Sequence, residues 1–448
     1  MTSVLETIAA WSRSAGAFPP RARKRAVEAI ADTVGCMVAG GDDFSTQAVR
    51  RAVAPQISTS GESPVIGGGR APAATAALVN GTAAHALDYD DNFHPAISHA
   101  SAVMVPALLA AAAPLNISGA ALVDAYIVGL EAQAAVGIGV NPSHYTLGWH
   151  STSTCGAIGT AAGVSRLLGL DAAATARAMS MAVSSAAGVK GQFGTPAKPF
   201  HAGMAARNAV EAVAFGNAGL SGRLDILEAP QGFRALFGGP DAVGWDGLAL
   251  GQPLAIEGHG VIPKRHPCCG STHYVVDMVL DLRAQHGFTA DDVASLECLV
   301  GIANARNLSY AEPQDEMQAR FSMHYCVALA LVQDRIGLAD FTLANIARSE
   351  IRKLLPLTTM TARSREEELA GGRLPHETVI RLKNGTEFKA TRLHAKGSIA
   401  DPFDDNDRAA KFTDCCVWLG STATAELYGA LTHLDQQANL AFLAPVFA

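Results

Sequence analysis

Apolar positions recur with a helical period through most of the first 220 residues, and again beyond residue 404. Pro19-Pro20 opens a predicted helix over 21–39, with Ala22, Ala26, Ala29, Ile30, Val34 and Met37 as its stripe and Gly40-Gly41 as its stop. Helices follow at 72–85, 101–113, 118–140, 156–168, 172–188 and 202–219, with Ser118 and Asp171 as caps. Between them lie short polar interruptions. Near residue 250 the pattern changes: 293–300 alternates as a strand does. The runs 378–382 and 386–393 flank Asn384-Gly385, a strong hairpin signal. Helices at 269–285 and 320–333 accompany these strands, and 404–411 and 421–434 return to a helical period.

The fold class read from this pattern is mainly α, a large all-helical domain with a smaller α+β domain inserted. The expected boundaries are 1–250 plus 397–448 for the helical domain and 251–396 for the α+β lid. Hydrophobic residues make up 49% of the 448, but aromatics only 6%, so the helices pack through Ala, Val and Leu at close range. A mean hydropathy of +0.18 implies extensive buried apolar surface, a subunit interface included.

A net charge of −7 argues against a nucleic-acid partner. The one dense basic cluster, Arg21-Ala-Arg23-Lys24-Arg25, opens a helix and reads as a solvated face. Eight scattered cysteines form neither a disulfide framework nor a zinc-finger spacing. No signal-peptide pattern opens the chain. The most apolar run, 100–115, carries Pro106 and Pro114 and is shorter than the ~20 residues of a bilayer span. The expectation is a cytoplasmic protein without a membrane partner. Gly67-Gly68-Gly69 lacks the strand–turn–helix context of a phosphate loop and reads as a plain loop.

Chemistry concentrates in the interruptions. His85-Ala-Leu-Asp88-Tyr-Asp90-Asp91-Asn92-Phe-His94-Pro-Ala-Ile-Ser-His99 places three carboxylates and three imidazoles between two alanine-rich runs, in a chain with only 17% charged residues. Burying such groups costs free energy unless they pair or act. His150, Lys198 with His201, and Lys264 to His273 carry the same residue types, and Phe321-Ser-Met-His-Tyr325 opens a helix.

This ordered set resembles the MmgE/PrpD family, which includes 2-methylcitrate dehydratase, cis-aconitate decarboxylase and iminodisuccinate epimerase. The motifs are His-Ala-Leu-Asp-Tyr-Asp-Asp, His99, Gly-Trp-His150, Gly-Thr195 to Lys198-Pro-Phe-His201, Lys264 to Pro267 to His273, and Phe-Ser to Tyr325. The resemblance implies a helical domain built from both chain ends, an α+β lid, an active site between them, no cofactor and no metal, and a homodimer. It implies catalytic roles for Asp88, His99, His150, Lys198, Lys264 and Tyr325. The chain departs from the decarboxylase branch in three ways: Asn92 where that branch has threonine, His99-Ala100 where His-Pro is usual, and one more residue before His99.

Reactions of this family make or protonate a carbanion beside a carboxylate, so cations must be aimed at that carboxylate beforehand. Lys198 and Lys264 suit this, and His99 and His150 suit proton transfer near neutral pH. Asp88 can orient an imidazole or accept from a substrate hydroxyl, and Tyr325 can donate to an oxygen. Asn92, His201 and His273 are the substrate-binding candidates; Asp90 and Asp91 read as structural, pairing with Arg or backbone N–H.

The reading is a cofactor-free, dehydratase-like lyase acting on a small di- or tricarboxylate. Epimerisation of the iminodisuccinate type is the alternative within the family. Outside it stand a metal-dependent hydrolase, with His85, Asp88, Asp90, His94 and His99 as ligands, and a binding protein that keeps the fold. Replacing His99 or Lys198 is expected to cut turnover by orders of magnitude while leaving the melting temperature nearly unchanged.

Overall fold

The structure is a computed structural model that describes residues 2–369 and 374–448. The protein is mainly α-helical, with a four-stranded sheet in its later part. Two compact units divide the chain. The larger comprises Met1–Gln192, Pro196–Pro263 and Arg408–Ala448; the smaller comprises Phe193–Thr195 and Lys264–Asp407.

In the larger unit, small residues let helices approach closely. The helix Gly119–Val140, capped by the Ser118 hydroxyl, packs on Ser151–Leu167, where a Cβ on Gly159 would lie 2.5 Å from the Gln133 Cα. Ala197–Asn217 packs on Ala73–Ala86, where a Cβ on Gly81 would meet the Gly203 Cα at 3.0 Å. Larger side chains at these glycines would force the backbones apart. Gly119–Val140 is long and apolar enough to cross a membrane, but 83% of its apolar window is buried inside the protein, as in a core helix.

In the smaller unit the strands lie in the order Thr358–Ala362, Val293–Val300, His376–Leu382, Glu387–Arg392. The last two form the expected hairpin, with Gly385 at φ +88° in its turn. Thr358–Ala362, which pairs in parallel with the central strand, carried no sequence signal of its own. Gly270–His286 and Met323–Val332 contribute buried side chains to the core with the sheet.

The main differences from the sequence reading are at helix starts. Ser151–Leu167 begins five residues earlier than expected, and Ala197–Asn217 also five, so Lys198 and His201 sit on a helix rather than in a loop. Ser151, Thr152, Ser153 and Thr154 look like loop residues in sequence, but in the first turn of a buried helix the Thr154 hydroxyl bonds back to the His150 carbonyl, while Thr152 accepts from the His99 amide and Ser153 donates to the His201 carbonyl. Pro199 is tolerated because the amide it lacks has no intrahelical acceptor there. At the other end of the His/Asp segment, the helix Ala73–Ala86 stops before Asp88, which adopts φ +52°.

Candidate active site

Three helices of the larger unit begin at the predicted chemistry. His99 is the N-cap of Ala100–Ala112, His150 is the N-cap of Ser151–Leu167, and Lys198 is the second residue of Ala197–Asn217. The first-turn amides of a helix carry partial positive charge, which favours an anion. His85 arrives from the C-terminal turn of Ala73–Ala86. The ring centroids lie 4.7 Å apart for His85 and His99, 5.8 Å for His85 and His150, and 6.4 Å for His99 and His150.

Each imidazole is held by its Nδ1. His85 Nδ1 lies 2.8 Å from the Asp90 carboxylate, His99 Nδ1 lies 2.6 Å from the Asp91 carbonyl oxygen, and His150 Nδ1 lies 3.2 Å from His201 Nδ1. A carbonyl only accepts, so His99 Nδ1 carries a proton, and in the neutral ring the lone pair is on Nε2. By the same logic His85 Nε2 is an acceptor, and the Lys198 ammonium, 2.9 Å away, donates to it. Lys198 also pairs with the Asp88 carboxylate, and both side chains are almost wholly buried. Asp90 thus has an imidazole among its partners, where the sequence reading expected an arginine or a backbone N–H.

Burial sets the protonation states. It drives His150 well below its ordinary value, and the charges of Lys198, His85, His201 and His99 add to the effect. His85 is lowered chiefly by burial, against the pull of Asp90. His201 falls to about 4 through burial, with His85 and Lys198 contributing. Burial pushes the Asp91 carboxyl up to about 7, opposed by the Ser101 side chain and reinforced by Asp90 and Asp32. Its best contact is a long 3.5 Å hydrogen bond from the Ser101 amide.

A folded-state value above the unfolded one stabilises the protein below the unfolded pKa and is lost as pH rises through the folded one. Asp91→Asn should therefore raise stability by about a few kcal/mol at pH 8. The gain should grow from pH 4 to 7 and vanish at pH 4, as read by urea unfolding across that range. A gain independent of pH would show that Asp91 does not bear this cost.

The structure thus brings Asp88, His99, His150, Lys198 and His201 together, with His85 among them. Asn92 pairs its backbone with Ile262, its amide donating at 2.8 Å. His94 lies in a short 3-10 turn and is exposed.

Three of the expected site residues belong to the smaller unit. Lys264 is fully buried there. His273 is buried edge-on to His266, with Nε2 3.3 Å from the Cys268 carbonyl oxygen. Tyr325 is a core aromatic packed against Phe341. Its hydroxyl donates to the Asp340 carbonyl at 2.5 Å, and burial raises its pKa. Tyr325 is the hydroxyl that the sequence reading lets donate to an oxygen, and here that oxygen is the Asp340 carbonyl. Tyr310, which that reading passed over, is only half-buried; its hydroxyl lies 3.4 Å from the carbonyl of Phe193. It lies in no recognised motif, so nothing in the sequence marks it.

Two donor sets could hold a metal ion. His85, His99 and His150 each offer a ring nitrogen within 4.8 Å of the other two, and His85, Asp88 and Asp90 form a second set. The Lys198 ammonium already occupies the position next to His85 Nε2 and Asp88.

The MmgE/PrpD N-terminal domain matches residues 6–246 and the MmgE/PrpD C-terminal domain matches residues 266–431. The chain belongs to the MmgE/PrpD family. It is similar to cis-aconitate decarboxylase of Homo sapiens, 29% identical over 364 residues, covering 77% of this chain and 72% of the relative. The Mus musculus cis-aconitate decarboxylase is 28% identical over the same shares. That of Aspergillus terreus is 25% identical, over 60% of this chain and 59% of its own. Within the family, the chain is an enzyme of the lyase type.

Proposed function

We propose that the protein is a cofactor-independent lyase that removes a proton α to a carboxylate of a small di- or tricarboxylate and eliminates water, as a dehydratase does. The observation that carries this reading is the contact of His99 Nδ1 with the Asp91 carbonyl at 2.6 Å, which makes Nε2 the basic nitrogen of the neutral ring. Carbanion formation puts charge on the neighbouring carboxylate, and a desolvated ammonium held in advance stabilises that charge. Lys198 is such a group, fixed by Asp88 and His85. In the step itself, His99 Nε2 takes the α-proton and the electron pair forms the double bond. Hydroxide leaves from the β-carbon with a proton from an acid; His150, which burial keeps neutral, offers a ring N–H for that role.

A second reading, loss of CO₂, is favoured by the relatives' names. There the carbanion arises by carbon–carbon cleavage and protonated His99 returns a proton. Asn92 and the longer segment before His99 are where this chain departs from the decarboxylase branch, beside the substrate. The ammonium beside His85 Nε2 supports a metal-free reaction, since a divalent cation there would meet a like charge. Metal analysis of active protein should accordingly find no stoichiometric ion.

A carboxylate panel in D₂O, followed by NMR, separates the outcomes. Dehydration gives an alkene and water, decarboxylation gives CO₂, and epimerisation gives a deuterated isomer with no loss of mass. Absence of α-exchange and of product with every di- and tricarboxylate would sink the reading and leave a binding protein. We also propose a cytoplasmic homodimer. The exposure of Leu147, Val189, Phe215, Leu220, Leu236 and Val243 on the larger unit supports the dimer, and sedimentation tests it.

A further inference from the structure

Lys411 is a buried lysine that no motif explains. It lies on the helix Asp405–Cys415, and its side chain is 4% exposed. Its ammonium lies 2.7 and 2.8 Å from the two carboxylate oxygens of Asp32, donates to the carbonyl oxygen of Tyr89 at 2.7 Å, and sits 4.6 Å from the centroid of the Tyr89 ring. Tyr89 is the residue between Asp88 and Asp90, the two carboxylates that hold Lys198 and His85.

We propose that Lys411 is a positioning residue, which clamps Tyr89 and thereby keeps Asp88 in the conformation that presents its carboxylate to Lys198. The clamp matters because Asp88 has φ +52°, a left-handed turn that aspartate can adopt but that lies outside any helix or strand, beyond the end of Ala73–Ala86. The segment is tied on both sides of that residue: the Asp88 amide donates to the His85 carbonyl at 3.3 Å, Asp90 binds His85, and the Asn92 amide donates to Ile262. Tyr89 itself is tied by Lys411, through both its carbonyl and its ring. An ion pair serving stability alone could be replaced by apolar side chains of similar volume. The bond to the Tyr89 carbonyl has no such substitute, because it fixes one peptide plane. Charge supports the assignment: Asp32, Asp90 and Asp91 interact with one another, and Lys411 supplies a cation among them.

The inference rests on the reading of the Asp88–Lys198 cluster as the reacting centre, and the experiment separates the two. In Lys411→Met, kcat should fall about 100-fold with KM nearly unchanged, the scale of loss that a small misplacement of a catalytic group produces. Amide hydrogen exchange should speed up at Asp88 and Asn92 while remaining unchanged in Gly119–Val140. Asp32→Asn keeps the lysine and its bond to the Tyr89 carbonyl, so it should lose thermal stability but hold kcat. Wild-type kcat and exchange in Lys411→Met would overturn the proposal, as would a kcat loss in Asp32→Asn equal to that of Lys411→Met. Should Lys411→Met fail to fold, Lys411→Arg, which keeps a cation for Asp32 but not the ammonium geometry at the Tyr89 carbonyl, takes its place under the same criteria. If the unmodified protein turns over no carboxylate, the functional reading fails, and exchange at Asp88 and Asn92 still decides the clamp.

Discussion

Lys198→Ala should lower turnover by about 10³-fold, since it removes the preorganised charge at which the carbanion's carboxylate would be held. It should also destabilise the protein by about 3–5 kcal/mol, the cost of breaking a buried ion pair. The second effect departs from the sequence expectation of an unchanged melting temperature. A loop lysine can be trimmed freely. Lys198, however, is 2% exposed, paired with Asp88 and bonded to His85, so its loss strands a buried carboxylate. The double variant Lys198→Met with Asp88→Asn removes both charges, and asparagine tolerates the positive φ at that position. It should regain most of the stability and none of the activity. Calorimetry and steady-state rates on the two variants check this. Activity returning with stability would place Lys198 outside the chemistry.

His99→Asn should cut turnover by about 10²–10⁴-fold at nearly unchanged stability, the range attributed to general acid–base catalysis. An asparagine amide can stand where Nδ1–H stands and still donate to the Asp91 carbonyl, so the loop keeps its tie while the base at Nε2 disappears. Exchange of the substrate α-proton in D₂O should fall by the same factor. His94→Ala provides the contrast: the exposed ring at 94 is outside the cluster, and its removal should leave turnover within about twofold of wild type. A larger loss from His94→Ala than from His99→Asn would reverse the assignment of the two imidazoles.

Much of the architecture was legible because it depends on local pattern. The helical stripes, the Ser118 and Asp171 caps and the Asn384-Gly385 hairpin each need only a few consecutive residues. The helix starts at Ser151 and Ala197 were misread for the same reason. Hydroxyl-rich and proline-containing first turns resemble loops until the packing that buries them is known. Thr358–Ala362 was missed because its pairing partner lies some sixty residues earlier in the chain.

The candidate site divides along similar lines. The sequence by itself determined the family, the mainly α class and a collection of acids and imidazoles too costly to bury without purpose. Tertiary structure alone decided that His85 joins His99 and His150, and that Asp90 turns it toward Lys198. It also made Tyr325 a core residue and brought Lys411 from the tail to the carbonyl of Tyr89. The reason is physical. Residue identity fixes which protons and charges a side chain can carry. Which of them it does carry, and toward which neighbour, is set by burial and by hydrogen-bond partners far apart in the chain.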